Sequence, residues 1–163
     1  MPTANTPPTV TPDQALQLDH QLCFALYSAS LAMTKLYKPL LADLGLTYPQ
    51  YLALLALWEC DGQQVSELGE RLFLDSGTLT PLLKRMESAG LVRRTRSSED
   101  ERRVHIHLTP DGRALKDRAA TVPGCVLQAT QCSLGDVVAL TQQVQALRDR
   151  LVHLGMPPAT TGG

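Results

Sequence analysis

The sequence is poor in aromatic residues and has no long apolar run. Its 163 residues include two Phe, one Trp and four Tyr, and no stretch approaches the roughly 20 apolar residues that span a membrane as a helix. The N-terminal segment MPTANTPPTVTPDQ has neither a basic nor an apolar region, so it is not typical of a secretory signal. We therefore expect a cytoplasmic globular protein without membrane contact, with one domain.

Cysteines are few and widely spaced. None of the four lies in a CxxC pair, and the spacing of a zinc site is absent, so we expect no metal and no cofactor. In a reducing compartment such cysteines are inert thiols, or they form transient sensory disulfides. The net charge is −1, which means that nucleic-acid binding requires a local basic patch.

Hydrophobic periodicity predicts a series of helices between disordered tails at residues 1–14 and 155–163. A first helix is expected from Asp13 to about Ala42, with Pro39 kinking or ending it. Further helices are expected from Thr47 or Tyr48 to Asp61, from Pro110 to about Ala129 with a disturbance at Pro123-Gly124, and from Ser133 to about Leu154.

Residues 65–90 have the pattern of a helix-turn-helix. Ser66 is a plausible cap for a short helix that ends at the LDS segment, and Asp75 or Ser76 caps a longer helix. The longer helix runs through Ser88 and ends before a glycine. Two helices joined by a short turn, with the second polar on one face, are typical of a DNA-recognition motif.

The segment after this motif predicts a β-hairpin. LVRRT and RVHIHL alternate as short strands, and the polar RSSEDER lies between them. The expected fold is mainly α with a small β-hairpin wing, a winged helix-turn-helix, in one domain over residues 15–154 whose DNA-binding part covers about 47–109. The N- and C-terminal helices have more apolar surface than such a module needs, which predicts a homodimer suited to a palindromic site.

A local basic patch favours double-stranded DNA as the partner. From Lys84 to Arg103 the chain has seven Lys or Arg against four acids, although its total charge is negative. An ordinary solvated hairpin would explain the charge alone, but not together with the helix-turn-helix. The predicted DNA-binding residues are Ser76, Thr78, Thr80, Lys84 and Arg85 on the second helix, and Arg94, Arg96, Asp100 and Arg102 in the wing.

Asp100 and Arg102 stand at the expected tip of the hairpin. A carboxylate two residues before an arginine can hold it by an ion pair or hydrogen bond, which would direct the guanidinium at a minor groove or a phosphate. An exposed pair of this kind contributes only about 0–1 kcal/mol to stability. The two interpretations are compatible, because orientation requires little net stability.

Over residues 18–151 the sequence resembles the MarR family of winged helix-turn-helix regulators. The segment DSGTLTPLLKRMESAGLVRRTRSSEDERRVHIHLTPDG contains a D-x-R…L-T signature at Asp100, Arg102, Leu108 and Thr109. LCFALYSASLAMTKLYKPLL and LTYPQYLALLALWE resemble the organic hydroperoxide sensing branch of that family (OhrR).

The resemblance implies a homodimeric repressor that binds a palindromic operator and that an organic hydroperoxide inactivates. It implies that Cys23 is the reactive thiol, that the hydroxyls of Tyr37 and Tyr48 hydrogen-bond it, and that its oxidation releases DNA. In the two-cysteine branch, a resolving cysteine in the fifth helix of the other subunit completes a disulfide.

The residues around Cys23 suit this chemistry. Thiols react with peroxides as thiolates, and hydrogen bonds to the anion lower a thiol's pKa. Tyrosine hydroxyls donate such bonds, and the rings, including that of Tyr27, keep a pocket apolar for an organic tail. If one straight helix carries both residues, Tyr37 lies about 21 Å from Cys23 of its own chain. It would then act across the dimer. On composition alone, a small buried hydrophobe is the commoner fate of a free cysteine.

The resolving cysteine is open. The family's second cysteine matches Gln128, whereas the nearest cysteines here are Cys125 and Cys132. Both share the face of Gln128 if the helix is continuous. Cys125 is slightly favoured because Pro123-Gly124 beside it gives mobility, and capping of Cys23 by a small cellular thiol is a third route.

Two other functions compete. A regulator of the same family could respond to a reversible phenolic or lipid ligand, with the cysteine incidental. A thiol peroxidase could use the same thiol, but no recycling CxxC is present. Among the remaining residues, Cys60, Tyr51, Leu57 and Trp58 are expected to be structural, and His105 and His107 are expected on the solvent face of a wing strand rather than at a metal.

Overall fold

The computed structural model describes residues 10–154, which form helices and one small sheet. It divides into two compact units, the first ending at Lys116 and the second beginning at Asp117. The single domain over 15–154 stays a prediction. None of the helices in the described part has the length and apolarity of a membrane span. The elements are α1 (Pro12–Ala15), a 3-10 turn (Leu18–His20), α2 (Leu22–Ala42), α3 (Tyr48–Glu59), β1 (Gln63–Gln64), α4 (Val65–Leu72), α5 (Ser76–Ser88), β2 (Val92–Arg96), β3 (Val104–Leu108), α6 (Pro110–Ala119), α7 (Val122–Thr130) and α8 (Leu134–His153).

The N-terminal helix is interrupted, contrary to the expectation of one helix from Asp13. Thr11 and Gln14 form a capping box that starts α1, so the end of the predicted tail at 1–14 is helical, while residues 1–9 lie outside the described part, as does the predicted tail at 155–163. The 3-10 turn follows, and α2 then runs unbroken through Pro39. Pro39 does not end the helix, because only a few residues follow it and its exposed position lets water satisfy the carbonyl that loses a partner.

α3 begins as predicted. Thr47 and Gln50 form its capping box, with Pro49 in the first turn. This helix supplies much of the core of the first unit, including Tyr51, Leu54 and Leu57, each at most 3% exposed. The predicted turn at Asp61-Gly62 follows, with Gly62 at φ +77°.

The helix-turn-helix is α4 and α5, which confirms the sequence prediction. Asp75 caps α5 by accepting the Thr78 N–H at 2.8 Å. The prediction that Ser66 caps α4 is wrong: Gln64 precedes the helix, and the Glu67 carboxylate accepts the Gln64 N–H at 2.8 Å. An acidic side chain in the first turn thus replaces the expected hydroxyl cap.

The wing has three strands rather than two. β2 and β3 form the predicted antiparallel hairpin, with Arg94 opposite Ile106. β1 pairs with the other edge of β3, with Gln63 opposite Ile106, which gives the order β1-β3-β2. Ile106 and Val92 are buried, so the hairpin packs into the core of the first unit through alternate residues.

The C-terminal part contains three helices where two were expected. The stretch from Pro110 is divided at Ala120 and Thr121, and Pro123 lies in the first turn of α7, a position that tolerates proline. α8 is capped by Ser133, as predicted. No residue of this helix is buried within the described chain. Even its large apolar side chains are 39 to 65% exposed, namely those of Leu134, Val138, Leu140, Val144, Leu151 and Val152.

Candidate functional site

The exposed face of α5 carries most of the predicted DNA-binding side chains. Leu79, Leu82, Leu83 and Met86 are buried and fix the orientation of the helix. The opposite face therefore points to solvent: Ser76, Thr78, Lys84 and Arg85 are exposed, and Thr80 is partly exposed.

An ion pair fastens the wing to this helix. The Nε of Arg94 donates to Oε2 of Glu87 at 2.7 Å, and the Arg94 backbone N–H donates to Oε1 at 3.1 Å. The side-chain hydrogen bond from Arg94 is the main reason that the pKa of Glu87 lies below its ordinary value. Arg94, predicted as a DNA contact, thus already has a structural partner, and Glu87 is a positioning residue that the sequence analysis did not identify.

The wing tip differs from its prediction. The Asp100 carboxylate does not pair with the Arg102 side chain: Oδ1 accepts the Arg102 backbone N–H at 3.0 Å, and Oδ2 lies 3.7 Å from Nε of Arg103. The turn explains this difference, because an Asp side chain in a turn accepts the backbone N–H of the residue two positions later. A further bond from Ser97 N–H to the Arg103 carbonyl, at 2.8 Å, closes the tip.

The guanidinium of Arg102 remains available. Within residues 10–154 its side chain makes no hydrogen bond or ion pair, and the residue is exposed, as is Arg96. A small cavity of about 160 Å³ lies between α5 and the wing, and its walls are Val65, Thr80, Leu83, Arg94, Arg102 and Val104. Two guanidinium groups and a threonine are thereby placed together at the basic surface.

Asp61 anchors the base of the wing. Its Oδ1 accepts the N–H groups of Gly62 at 2.9 Å and Leu108 at 2.8 Å, and its Oδ2 accepts from Nη2 of Arg113 at 2.6 Å. Burial by itself would raise the pKa of Asp61, but these bonds outweigh it and the pKa lies below the ordinary value. The sequence suggested only a turn at this position, since no local pattern indicates a partner 52 residues away.

The predicted reactive thiol is at the start of a long helix. Cys23 is exposed in the first turn of α2, so the alternative of a small buried hydrophobe is wrong for the single chain. Tyr27, one turn further along, is 62% exposed. Cys60, expected to be structural, is also exposed, at the end of α3.

The two predicted phenols form a pair at the other end of α2. The ring centroids of Tyr37 and Tyr48 are 4.7 Å apart, and that of Tyr51 lies 5.8 Å from Tyr37. Burial raises the pKa of Tyr37 and of Tyr48, which keeps both hydroxyls protonated and able to donate at neutral pH. Neither hydroxyl has a hydrogen-bond partner within residues 10–154, so both donors are available.

Cys23 and the tyrosine pair are far apart in one chain. Because α2 is continuous between Cys23 and Tyr37, the rise of the helix separates them by about 21 Å. Tyr48 packs on Tyr37 and is distant for the same reason. One chain therefore holds a thiol and two phenolic donors that it cannot bring into contact.

A larger cavity adjoins the tyrosine pair. Its volume is about 460 Å³, and it lies between the last turns of α2 and the start of α3. The walls are mainly apolar, and two lysines are among the lining residues. The lining residues are Thr34, Lys35, Lys38, Ala42, Leu46, Thr47, Tyr48 and Pro49.

The other two cysteines belong to the second unit. Cys125 lies on α7, one turn before Gln128, and is exposed. Cys132 lies beyond the end of α7, after Gln131 at φ +55°, so the continuous helix that would align it with Gln128 is not present. Its Sγ lies 3.4 Å from the Thr130 carbonyl oxygen.

Metal ligation finds no support in the described residues, where no group of three His, Cys, Asp or Glu side chains converges. His105 and His107 lie on one face of β3 with ring centroids 6.4 Å apart. Both are partly buried rather than fully exposed, and Nδ1 of His105 lies 3.1 Å from the Gly62 carbonyl oxygen. A structural contact of the wing thus accounts for His105.

Comparison with known proteins identifies transcriptional regulators. Residues 35–119 match the family described as transcriptional regulator SarA/Rot. The chain is 53% identical to the organic hydroperoxide resistance transcriptional regulator of Bacillus subtilis over 83% of its length and 92% of the relative.

Solved structures of AbfR from Staphylococcus epidermidis share the fold. Reduced AbfR bound to DNA is 31% identical, with a TM-score of 0.72, and the match covers 87% of this chain and 99% of AbfR. The disulfide-formed state of AbfR is 36% identical, with a TM-score of 0.57 and coverage of 83% and 95%.

Proposed function

Because the chain belongs to the MarR-type winged helix-turn-helix regulators, in the branch of the organic hydroperoxide resistance regulators, we propose that it is a homodimeric repressor that releases its operator when an organic hydroperoxide oxidises Cys23. Its relatives are transcriptional regulators rather than enzymes. Because a repressor acts at the chromosome, we infer that this one works in the cytoplasm.

DNA binding uses the exposed face of α5 and the wing. Lys84 and Arg85 lie on the helix, and Arg96 and Arg102 on the wing, so each protomer carries one basic surface. AbfR, which shares this fold, has been solved bound to DNA. Such a surface releases counterions from the duplex, and affinity should fall steeply with salt.

Dimerisation covers the apolar residues that the single chain leaves exposed. Within α8, Leu140, Val144, Leu147 and Leu151 follow one another at helical spacing on one face. Leu22 and Leu31 on α2 are likewise about half exposed, at 59% and 48%. A two-fold dimer through the N- and C-terminal helices buries such surface and presents two wings to a palindromic site.

The separation of thiol and phenols is the observation that carries the redox part of the proposal. Tyr27 is one helical turn from Cys23, but Tyr37 lies about 21 Å along α2 from Cys23 of the same chain, and Tyr48 packs on Tyr37. Within residues 10–154 the hydroxyls of Tyr37 and Tyr48 have no hydrogen-bond partner. In a two-fold dimer, Cys23 of one protomer meets the tyrosine pair of the other. Hydrogen bonds from these phenols stabilise the thiolate, which is the nucleophile.

The reaction is a two-electron oxidation of sulfur. The thiolate attacks the peroxide O–O bond, takes one oxygen to become a sulfenic acid after protonation, and releases the organic alcohol. A second thiolate then attacks the sulfenic sulfur, forms the S–S bond and expels the oxygen as water. Cys125 on α7 is the proposed second thiol, because Cys132 lies outside that helix.

The first test measures DNA release. Reduced protein should bind a palindromic duplex selected from a random pool, and cumene hydroperoxide should abolish binding, which thiol reductant restores. Cys23→Ser should bind DNA and ignore the peroxide, whereas Cys60→Ser, the matched control, should respond normally. A fully responsive Cys23→Ser protein would contradict the sensor assignment. Mass spectrometry should then find Cys23 joined to Cys125 rather than to Cys132 or an added thiol.

The second test asks whether the site is shared between protomers. Neither Cys23→Ser nor the double variant Tyr37→Phe, Tyr48→Phe should respond normally as a homodimer. Mixed dimers of the two contain one native combination, Cys23 from the tyrosine variant and both tyrosines from the cysteine variant. They should regain peroxide response. Mixed dimers that stay as unresponsive as the parents would contradict a shared site.

The cavity beside Tyr48 supports one alternative function, a regulator with a reversible ligand. Its volume of about 460 Å³ suits a small organic molecule. Reductant distinguishes the two functions, because it reverses oxidation but does not displace a non-covalent ligand.

A further inference from the structure

Pro81 is a proline inside the recognition helix, on its exposed face. Proline in a helix interior removes a backbone hydrogen bond and destabilises the helix. Pro81 makes no contribution to the core, because the core side of α5 is formed by Leu79, Leu82 and Leu83, which are buried. Any exposed helix-forming residue would stabilise α5 better, so the position suggests a role in what this face contacts.

The surroundings of Pro81 are polar and basic. Thr78 precedes it by three residues and Lys84 follows by three, and both are exposed, so all three share one surface of the helix. Gly77, one turn before, has no side chain to cover the proline ring. The result is an apolar ring at the centre of a basic surface, open to an approaching partner.

We propose that Pro81 contacts the C5 methyl group of a thymine in the major groove of the operator. This inference rests on the proposed DNA binding and specifies one element of its sequence preference. The proline ring has neither donor nor acceptor, so it cannot pair with the polar edges of guanine, adenine or cytosine. The thymine methyl is the one apolar group on a base edge in the major groove.

The same contact discriminates against other bases. A guanine, adenine or cytosine at this position would place hydrogen-bonding atoms against the proline ring, where they would lose water without gaining a partner. Flanking residues such as Lys84 contact phosphates and hold the helix in the groove. Specificity at this base pair then comes from an apolar contact rather than from hydrogen bonds.

The test is a thermodynamic cycle on reduced protein and a duplex selected from a random pool. Each thymine of the duplex is replaced in turn by deoxyuridine, which removes only the methyl group. For the wild-type protein, one replacement per half-site should weaken binding about fourfold, the value expected for one buried methyl group. For Pro81→Ala the same replacement should cost much less, because the facing ring is absent.

Pro39→Ala is the matched control, since it also removes an exposed proline that lies past the first turn of a helix, and it should keep the full loss. Circular dichroism checks that both variants fold. If no deoxyuridine weakens binding, or if the loss is equal in wild type and Pro81→Ala, the contact does not exist. If the wild-type protein selects no duplex, the proposed function itself fails.

Discussion

At the scale of single residues, Gly112 leaves less room for a side chain than any other glycine of residues 10–154. A Cβ atom at this position would overlap the carbonyl oxygen of Leu91, which also accepts the Thr109 N–H at 3.1 Å. The Gly112 carbonyl in turn accepts the indole N–H of Trp58 at 2.9 Å. Any side chain at position 112 must therefore displace backbone that is held on both sides.

Gly112→Ala should consequently destabilise the protein by about 2–4 kcal/mol, through overpacking against backbone. Thermal unfolding followed by circular dichroism measures the change. Gly124→Ala is the control, because open space surrounds that position within α7, and alanine there should stabilise the helix by up to about 1 kcal/mol. Equal effects of the two substitutions would contradict this account.

Asp61 makes the stability of the protein depend on pH. Its pKa lies below the ordinary value of 3.8, because the bonds from Arg113, Leu108 and Gly62 outweigh the effect of burial. A carboxyl with a depressed folded-state pKa stabilises the folded protein above its ordinary pKa, and the contribution is lost as pH falls through the folded value.

Asp61→Asn should lower the free energy of unfolding at pH 7 by about 1–3 kcal/mol, the range for lost hydrogen bonds to a charged group. The difference between wild type and variant should shrink as the pH falls below about 4. Urea unfolding at several pH values measures it, with Glu99→Gln on the exposed wing as control. A difference that is constant with pH would show that the charge of Asp61 contributes nothing.

At the scale of elements, the two neighbouring arginines of the wing tip, Arg102 and Arg103, differ in their contacts. Asp100 accepts the Arg102 backbone N–H and lies near the Arg103 guanidinium, whereas the Arg102 side chain has no partner within residues 10–154 and is the proposed DNA contact. Arg102→Ala should therefore weaken operator binding more than Arg103→Ala, and it should reduce the slope of log affinity against log salt by about 1. Fluorescence anisotropy titrations at several salt concentrations measure both. A larger effect of Arg103→Ala would reverse the assignment.

Local signals in the sequence predicted most elements of the fold. The capping box at Thr47 and the cap at Asp75 are encoded within four residues, and the wing strands have a clear alternation. β1 was missed because Gln63-Gln64 has no strand preference of its own and pairs only because β3 lies beside it. The pairings of Asp61 and Glu87 were missed for the same reason, since tertiary contacts have no local pattern.

At the scale of the whole molecule, the exposed apolar face of α8 predicts an obligate dimer. Val144→Glu places a charge in the middle of that face and should dissociate the protein into monomers with weakened operator binding. Gln142→Glu adds the same charge on the opposite side of the helix and should leave the dimer intact. Sedimentation velocity measures the assembly state, and a Val144→Glu protein that remains dimeric would exclude this face from the interface.

The scarcity of aromatic residues makes the protein its own spectroscopic probe. Trp58 is the sole indole of the chain, and it sits edge-on to Tyr51 with centroids 6.5 Å apart while its N–H is bonded across to Gly112. The fluorescence of the indole therefore reports on one place in the fold, the contact between α3 and the first turn of α6. A stopped-flow trace of that emission after peroxide addition would time any change at this junction that follows the proposed oxidation of Cys23, without an attached dye.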